Sequence, residues 1–168
     1  MRAWLGGIIV AAFAATLLAQ PEVPQASRAG GNRLPAIELD TAACARTGTR
    51  PKICAFVLDD KGVLRVTAVF RAGGSRPYYW TPMTFDGTRY CGWLPQPLSG
   101  TTAVEYYIEA FDDEYEISRS RSETLQIGTD CRTFEGQPPA SSSAVGAAAP
   151  GQPATPPGFD PGTVRPPS

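Results

Sequence analysis

Along the middle of the chain, apolar and polar residues alternate with a period of two in short runs separated by turn-forming residues, the mark of half-buried β-strands. The clearest run is 104–113, where Val104, Tyr106, Ile108 and Ala110 share one face and Glu105, Tyr107, Glu109 and Phe111 the other. Residues 52–58 set Ile53, Ala55 and Val57 against Cys54, Phe56 and Leu58, and residues 63–71 set Leu64, Val66, Ala68 and Phe70 against Arg65, Thr67 and Arg71. Asp59-Asp60-Lys61-Gly62 between them is a tight turn, with Asp to bond the backbone and Gly to supply a positive φ, so the two runs form a hairpin or a sandwich corner. Residues 34–39 predict an edge strand because Pro35 lacks a donor, with Ile37 and Leu39 buried. Residues 78–85 are an aromatic strand interrupted by Pro82, also at an edge, and Asp86-Gly87 turns it into residues 89–94. Residues 115–127 are the last strand, in which Ile117, Arg119, Arg121, Leu125 and Ile127 share a parity, so a bulge is expected near 120–122. About seven short strands and no helical periodicity predict an all-β antiparallel sandwich.

The two ends read differently. Residues 1–19 carry a single charge, Arg2, ahead of an apolar run that ends in a small residue before Gln20-Pro21, the layout of a secretory signal peptide cleaved after Ala19. A membrane anchor fits less well, since the run is short, contains Gly6 and Gly7 and lacks a basic stop signal. No membrane span is therefore expected in the mature chain. Residues 20–33 are a flexible lead-in, 34–131 the folded domain and 132–168 a Pro/Ala/Gly-rich tail. Residues 135–168 hold nine Pro, five Gly and six Ala, with Phe159 the sole aromatic, a composition that predicts disorder.

Charge and chemistry narrow the function. The chain has 15 basic and 16 acidic residues without long runs of one sign, which speaks against nucleic acid as a partner. It has no His, and so lacks the usual general base, the usual activator of a Ser or Cys nucleophile and the commonest nitrogen ligand for a metal. Four cysteines, Cys44, Cys54, Cys91 and Cys131, in a segment expected to be exported predict two disulfides. Pairing of neighbouring strands favours Cys54–Cys91 with Cys44–Cys131 tying the ends, and Cys44–Cys54 with Cys91–Cys131 is the alternative.

Residues 63–71, the following aromatic pair, Met83, Gly87, Tyr90, Pro95 and the run 104–110 with Asp112 together resemble an immunoglobulin-like, fibronectin-III-like (E-set) module of secreted bacterial proteins. Tyr106-x-Ile108-x-Ala110 is similar to the Tyr-x-Val-x-Ala pattern on the penultimate strand of such domains, where the tyrosine hydroxyl closes a corner. The resemblance spans about residues 34–128. It implies an architecture and a non-catalytic role as adhesion unit, spacer or docking surface. The four cysteines depart from its usual pattern.

Three groups of residues are functional candidates. Asp59, Asp60, Asp86, Asp112, Asp113 and Glu114 occupy three turns that an immunoglobulin-type strand order gathers at one end, an oxygen-rich set suited to Ca2+, although Asp is also simply a good turn residue. The same carboxylates are the only basis for a third reading, a carboxylate-based hydrolase. Tyr78, Tyr79, Trp80, Trp93 and Tyr107 are candidates for stacking sugars, against the requirement that alternation send either Tyr79 or the pair Tyr78 and Trp80 into the core. Arg65, Arg71, Glu105 and Glu109 flank Val69 and Tyr107 as cross-strand pairs. The expectation is an exported protein of the periplasm, cell surface or medium that binds an envelope protein and catalyses nothing; the alternative is a carbohydrate-binding module.

Overall fold

In a computed structural model, residues 33–40, 44–131 and 143–167 are described, all within one compact unit spanning residues 32–168. The stretch expected to be a signal peptide, and all of the expected lead-in except Arg33, lie outside the described residues. The nine strands of the first part are β1 (Ala36–Asp40), β2 (Cys44–Arg46), β3 (Lys52–Leu58), β4 (Val63–Ala72), β5 (Tyr79–Phe85), β6 (Tyr90–Trp93), β7 (Ala103–Asp112), β8 (Ile117–Arg119) and β9 (Glu123–Gly128). Two-residue strands β10 (Ser143–Ala144), β11 (Gly146–Ala147) and β12 (Val164–Arg165) follow, with one 3-10 turn at Pro161–Thr163. No α-helix occurs among the described residues, and none of their helices is long and apolar enough to cross a membrane.

Strand order is β1-β3-β6-β5-β4-β7-β9-β2, with β8 beside β7 and β11 beside β5, while β10 and β12 pair separately. The sheet curls because β5 changes partners along its length. Tyr79–Met83 pair with β4, and Thr84 and Phe85 pair with β6. β3 and β4 pair with other strands and not with each other, so the Asp59–Gly62 turn is a corner and not a hairpin. The expected wholly antiparallel arrangement of about seven strands is corrected in two respects. The sheet is mixed, since β2 runs parallel to β9 as β10 does to β12, and it contains short strands that no alternation announces.

One core lies inside the curl. Ile53, Ala55 and Val57 of β3 meet Val66, Ala68 and Phe70 of β4 and Val104, Tyr106, Ile108 and Ala110 of β7, all buried. Leu64, expected with them, is 55% exposed, because the β4–β7 register shifts between Val63 and Arg65 and turns that side chain outward. The bulge in the last strand occurs where parity demanded it. Tyr106 pairs with Glu123 and Glu109 with Arg119, so Tyr107 and Ile108 stand opposite Ser120, Arg121 and Ser122. Ser120 fills the irregularity, its Oγ accepting from Ile108 N–H at 2.9 Å and its own N–H donating to Ile108 O at 2.9 Å.

Both disulfides form with the favoured pairing. Cys54–Cys91 joins directly opposed positions on β3 and β6, and Cys44–Cys131 ties β2 to the chain just beyond β9.

Residues 143–167 differ most from expectation. Their composition predicts an unfolded tail, yet they run as a strap over the sheet. β11 extends the sheet beside the Tyr79–Trp80 half of β5, and Val145 and Phe159 are buried. Phe159 meets the Phe70 ring edge-on at 5.2 Å, and main-chain bonds to Gln96 and Leu98 fix the segment on either side of it. A pocket that accepts one aromatic ring, and sheet edge that accepts main chain, order a segment whose own side chains are too small to do so.

Candidate functional site

The acidic turns lie toward one end of the sheet, since Val63 pairs with Asp112 and Val66 with Met83. Three of their carboxylates nevertheless serve their own turns. Asp59 Oδ1 accepts from Lys61 and Gly62 N–H at 2.8 and 2.9 Å, Asp86 Oδ1 from Thr88 and Arg89 N–H at 3.0 Å each, and Asp112 Oδ1 from Glu114 and Glu116 N–H at 2.9 and 2.8 Å. Asp60 Oδ1 accepts from Arg33 N–H at 3.3 Å. The bond from Arg89 N–H, then that from Thr88, holds the Asp86 carboxyl below its ordinary range. Asp113 and Glu114 point to solvent. Among the described residues no three His, Cys, Asp or Glu side chains come together as metal ligands. Among the described residues the six carboxylates do not gather as a metal-ligand cluster: Asp59, Asp86 and Asp112 accept from main-chain donors of their own turns, Asp60 accepts from Arg33 N–H, and Asp113 and Glu114 face solvent.

The aromatic candidates separate by strand parity. Tyr79 is in the core, fully buried, with its hydroxyl donating to Pro153 O at 3.1 Å, and burial raises its pKa. It is withdrawn from the candidate surface. Tyr78, Trp80 and Tyr107 stand on the opposite, outward face with Val69, which pairs in register with both Trp80 and Tyr107 and is itself buried. Trp93 is on β6, where Lys52 Nζ lies 5.9 Å from its ring centre, and it borders a separate cavity of about 170 Å³ with Thr81 and Ser143.

On the outward face, rings and arginines interleave. Tyr78 and Tyr107 meet edge to face at 5.7 Å; Arg71 lies 4.5 Å over Tyr78 and Arg119 5.9 Å over Tyr107. Arg71 is paired to Glu105 at 2.5 Å and Arg119 to Glu109 at 2.7 Å, and Arg65 covers Phe111 at 4.1 Å. The cross-strand charge pairing expected from sequence is thus present for Arg71–Glu105. The partner of Glu109 is Arg119 of β8, a residue that sequence placed on the last strand without a role. Rings held in this way are rigid and half-exposed, the property that makes Tyr, Trp and Arg effective contact residues.

Trp80 also borders a cleft of about 490 Å³ together with Val145, Gly146, Val164, Pro166 and Pro167. Its indole leans across Gly146, where a Cβ would collide with the ring. The C-terminal half of this cleft had no signal in the sequence beyond a Gly opposite a Trp, which becomes informative only once β11 is placed beside β5. A scan against protein-family models and a search of curated proteins found no match to this chain.

Proposed function

We propose that the chain is an exported immunoglobulin-like module of the bacterial envelope that works by binding a protein partner, with no catalytic step. Support for the architecture comes from the two strand sets, β1-β3-β6 and β5-β4-β7-β9-β2, around one core, with the first segment of chain divided between them as β1 and β2. Two disulfides fit an oxidising compartment, whether periplasm, cell surface or medium. The observation that carries the binding reading is the outward face of Tyr78, Tyr107, Arg71 and Arg119, pre-ordered by ring and cation contacts with Glu105 and Glu109 holding the two arginines. Pre-ordering matters because it lowers the entropy that a partner must offset. The test is cross-linking in native envelope with the wild-type chain and with Tyr78→Ser/Tyr107→Ser. A partner held by the first and lost by the second is expected, and equal capture by both sinks the reading.

A second reading, a carbohydrate-binding module, is favoured by the Trp80 cleft, where one apolar ring borders a space large enough for a sugar unit. Tryptophan fluorescence that shifts with a polysaccharide in the wild type and not in Trp80→Ala would support it; no shift across a panel of polysaccharides removes it. Glycan turnover abolished by Asp112→Asn would contradict both readings and restore a hydrolase.

A further inference from the structure

The strap is attached as a ligand would be. β11 adds main chain to β5, Gly146 facing Trp80 and Ala147 facing Tyr79, and one side chain, Phe159, enters a pocket against Phe70. Main-chain pairing for affinity and a single side-chain pocket for specificity is the mode by which extended peptides dock on sheet edges. Two glycines make the fit selective. Gly146 has no room for a Cβ beneath the Trp80 ring, and at Gly158, with φ +84°, a Cβ would stand 2.7 Å from that of Ala72. Gly158 O accepts from Leu98 N–H at 2.9 Å and from Thr101 Oγ at 2.8 Å, seating Phe159 in the pocket.

The strap is held mainly by polar bonds at separate points, among them Ser143 Oγ to Trp93 O at 2.6 Å, Gln96 N–H to Thr163 Oγ at 2.9 Å and Tyr79 OH to Pro153 O at 3.1 Å, and by little apolar burial. It orders residues 143–167, of which 147–151, 153, 154, 157, 161, 162 and 165–167 are exposed, and its large buried side chains are Val145, Pro156 and Phe159. Segments with that balance of ordering cost and apolar burial are the first to open in a folded domain.

We propose that the β5 edge and the Phe70 pocket form a peptide-binding surface, which the chain fills with its own residues 143–167 and which accepts the same segment of a second copy. This goes beyond the reading above, since neither Tyr107 nor Arg119 belongs to the surface. The test uses the full chain and a fluorescent peptide of residues 143–167. The Phe159→Ala chain, its own strap weakened, is expected to bind the peptide one to one and at least about tenfold more tightly than the wild-type chain, whose strap competes. A peptide carrying the same Phe159→Ala change loses that affinity. Gly146→Ala, which dislodges the strap from Trp80, serves as the second chain variant. The proposal is overturned if neither variant binds the peptide while keeping its near-ultraviolet circular dichroism. It is equally overturned if both variants fail to fold, since the strap is then an inseparable part of the core.

Discussion

Tyr106 shows how far one position can be read. Its parity in β7 puts it in the core, and it is there, 1% exposed, with burial and then the Glu123 charge pushing its pKa up to about 12. Tyr79 and Tyr107 shift in the same direction, each chiefly by burial. For a phenol, a folded-state pKa above the unfolded value near 10 means that the native state favours the neutral form. The corresponding stability, on the order of 2–3 kcal/mol for Tyr106, is complete below about pH 10 and is lost as pH rises toward 12. Melting temperatures across that interval should fall more steeply for the wild type than for Tyr106→Phe; parallel curves would contradict the assignment. The aspartates were legible in a different way. Their preference for turns was evident, but that Asp112 would be fully buried, with Glu114 and Glu116 N–H on one oxygen, depended on how the β7–β8 turn folds back.

Among the strands, alternation located β3, β4 and β7 to within a residue or two, since each has one face in a shared core, and the Asp86-Gly87 turn located β6. It also demanded the bulge, because odd-numbered residues face outward in β8 and inward in β9. That bulge is testable by length. Deleting Arg121 leaves two residues opposite Tyr107 and Ile108, continues the β8 register into β9 and drives Leu125 out of the core. A loss of roughly 3 kcal/mol or more is expected in urea unfolding, as for truncating a buried Leu. Arg121→Ala, at a side chain 79% exposed, should cost under about 0.5 kcal/mol. Similar losses for the two would rule out the register argument. β2 and the strap were illegible for a common reason: three residues beside Gln126–Gly128, and the pair Gly146–Ala147 beside β5, carry no periodicity of their own and are strands only because an edge awaits them.

For the molecule as a unit, the disulfides bind the curl at two places. Cys54–Cys91 staples β3 to β6 across 37 residues of sequence, and Cys44–Cys131 spans 87, joining the chain before β3 to the chain after β9. Loop-closure entropy assigns each about 3–5 kcal/mol, the larger share to the longer loop. Reductant should therefore lower the urea midpoint markedly, and Cys44→Ala/Cys131→Ala should cost more than Cys54→Ala/Cys91→Ala. An unchanged midpoint under reduction would show that the core suffices without them.

What this sequence determined unaided was local: which residues alternate, where Asp and Gly turn the chain, where parity breaks, and that four cysteines pair. These follow from backbone geometry and from the side on which each residue falls. Tertiary structure alone decided that β5 would divide its length between β4 and β6, that Tyr79 and not Trp80 would enter the core, and that residues 143–167 of the Pro-rich tail would be ordered. Each depends on a surface assembled from distant strands, and a free edge or a ring-sized pocket exists only after those strands have come together.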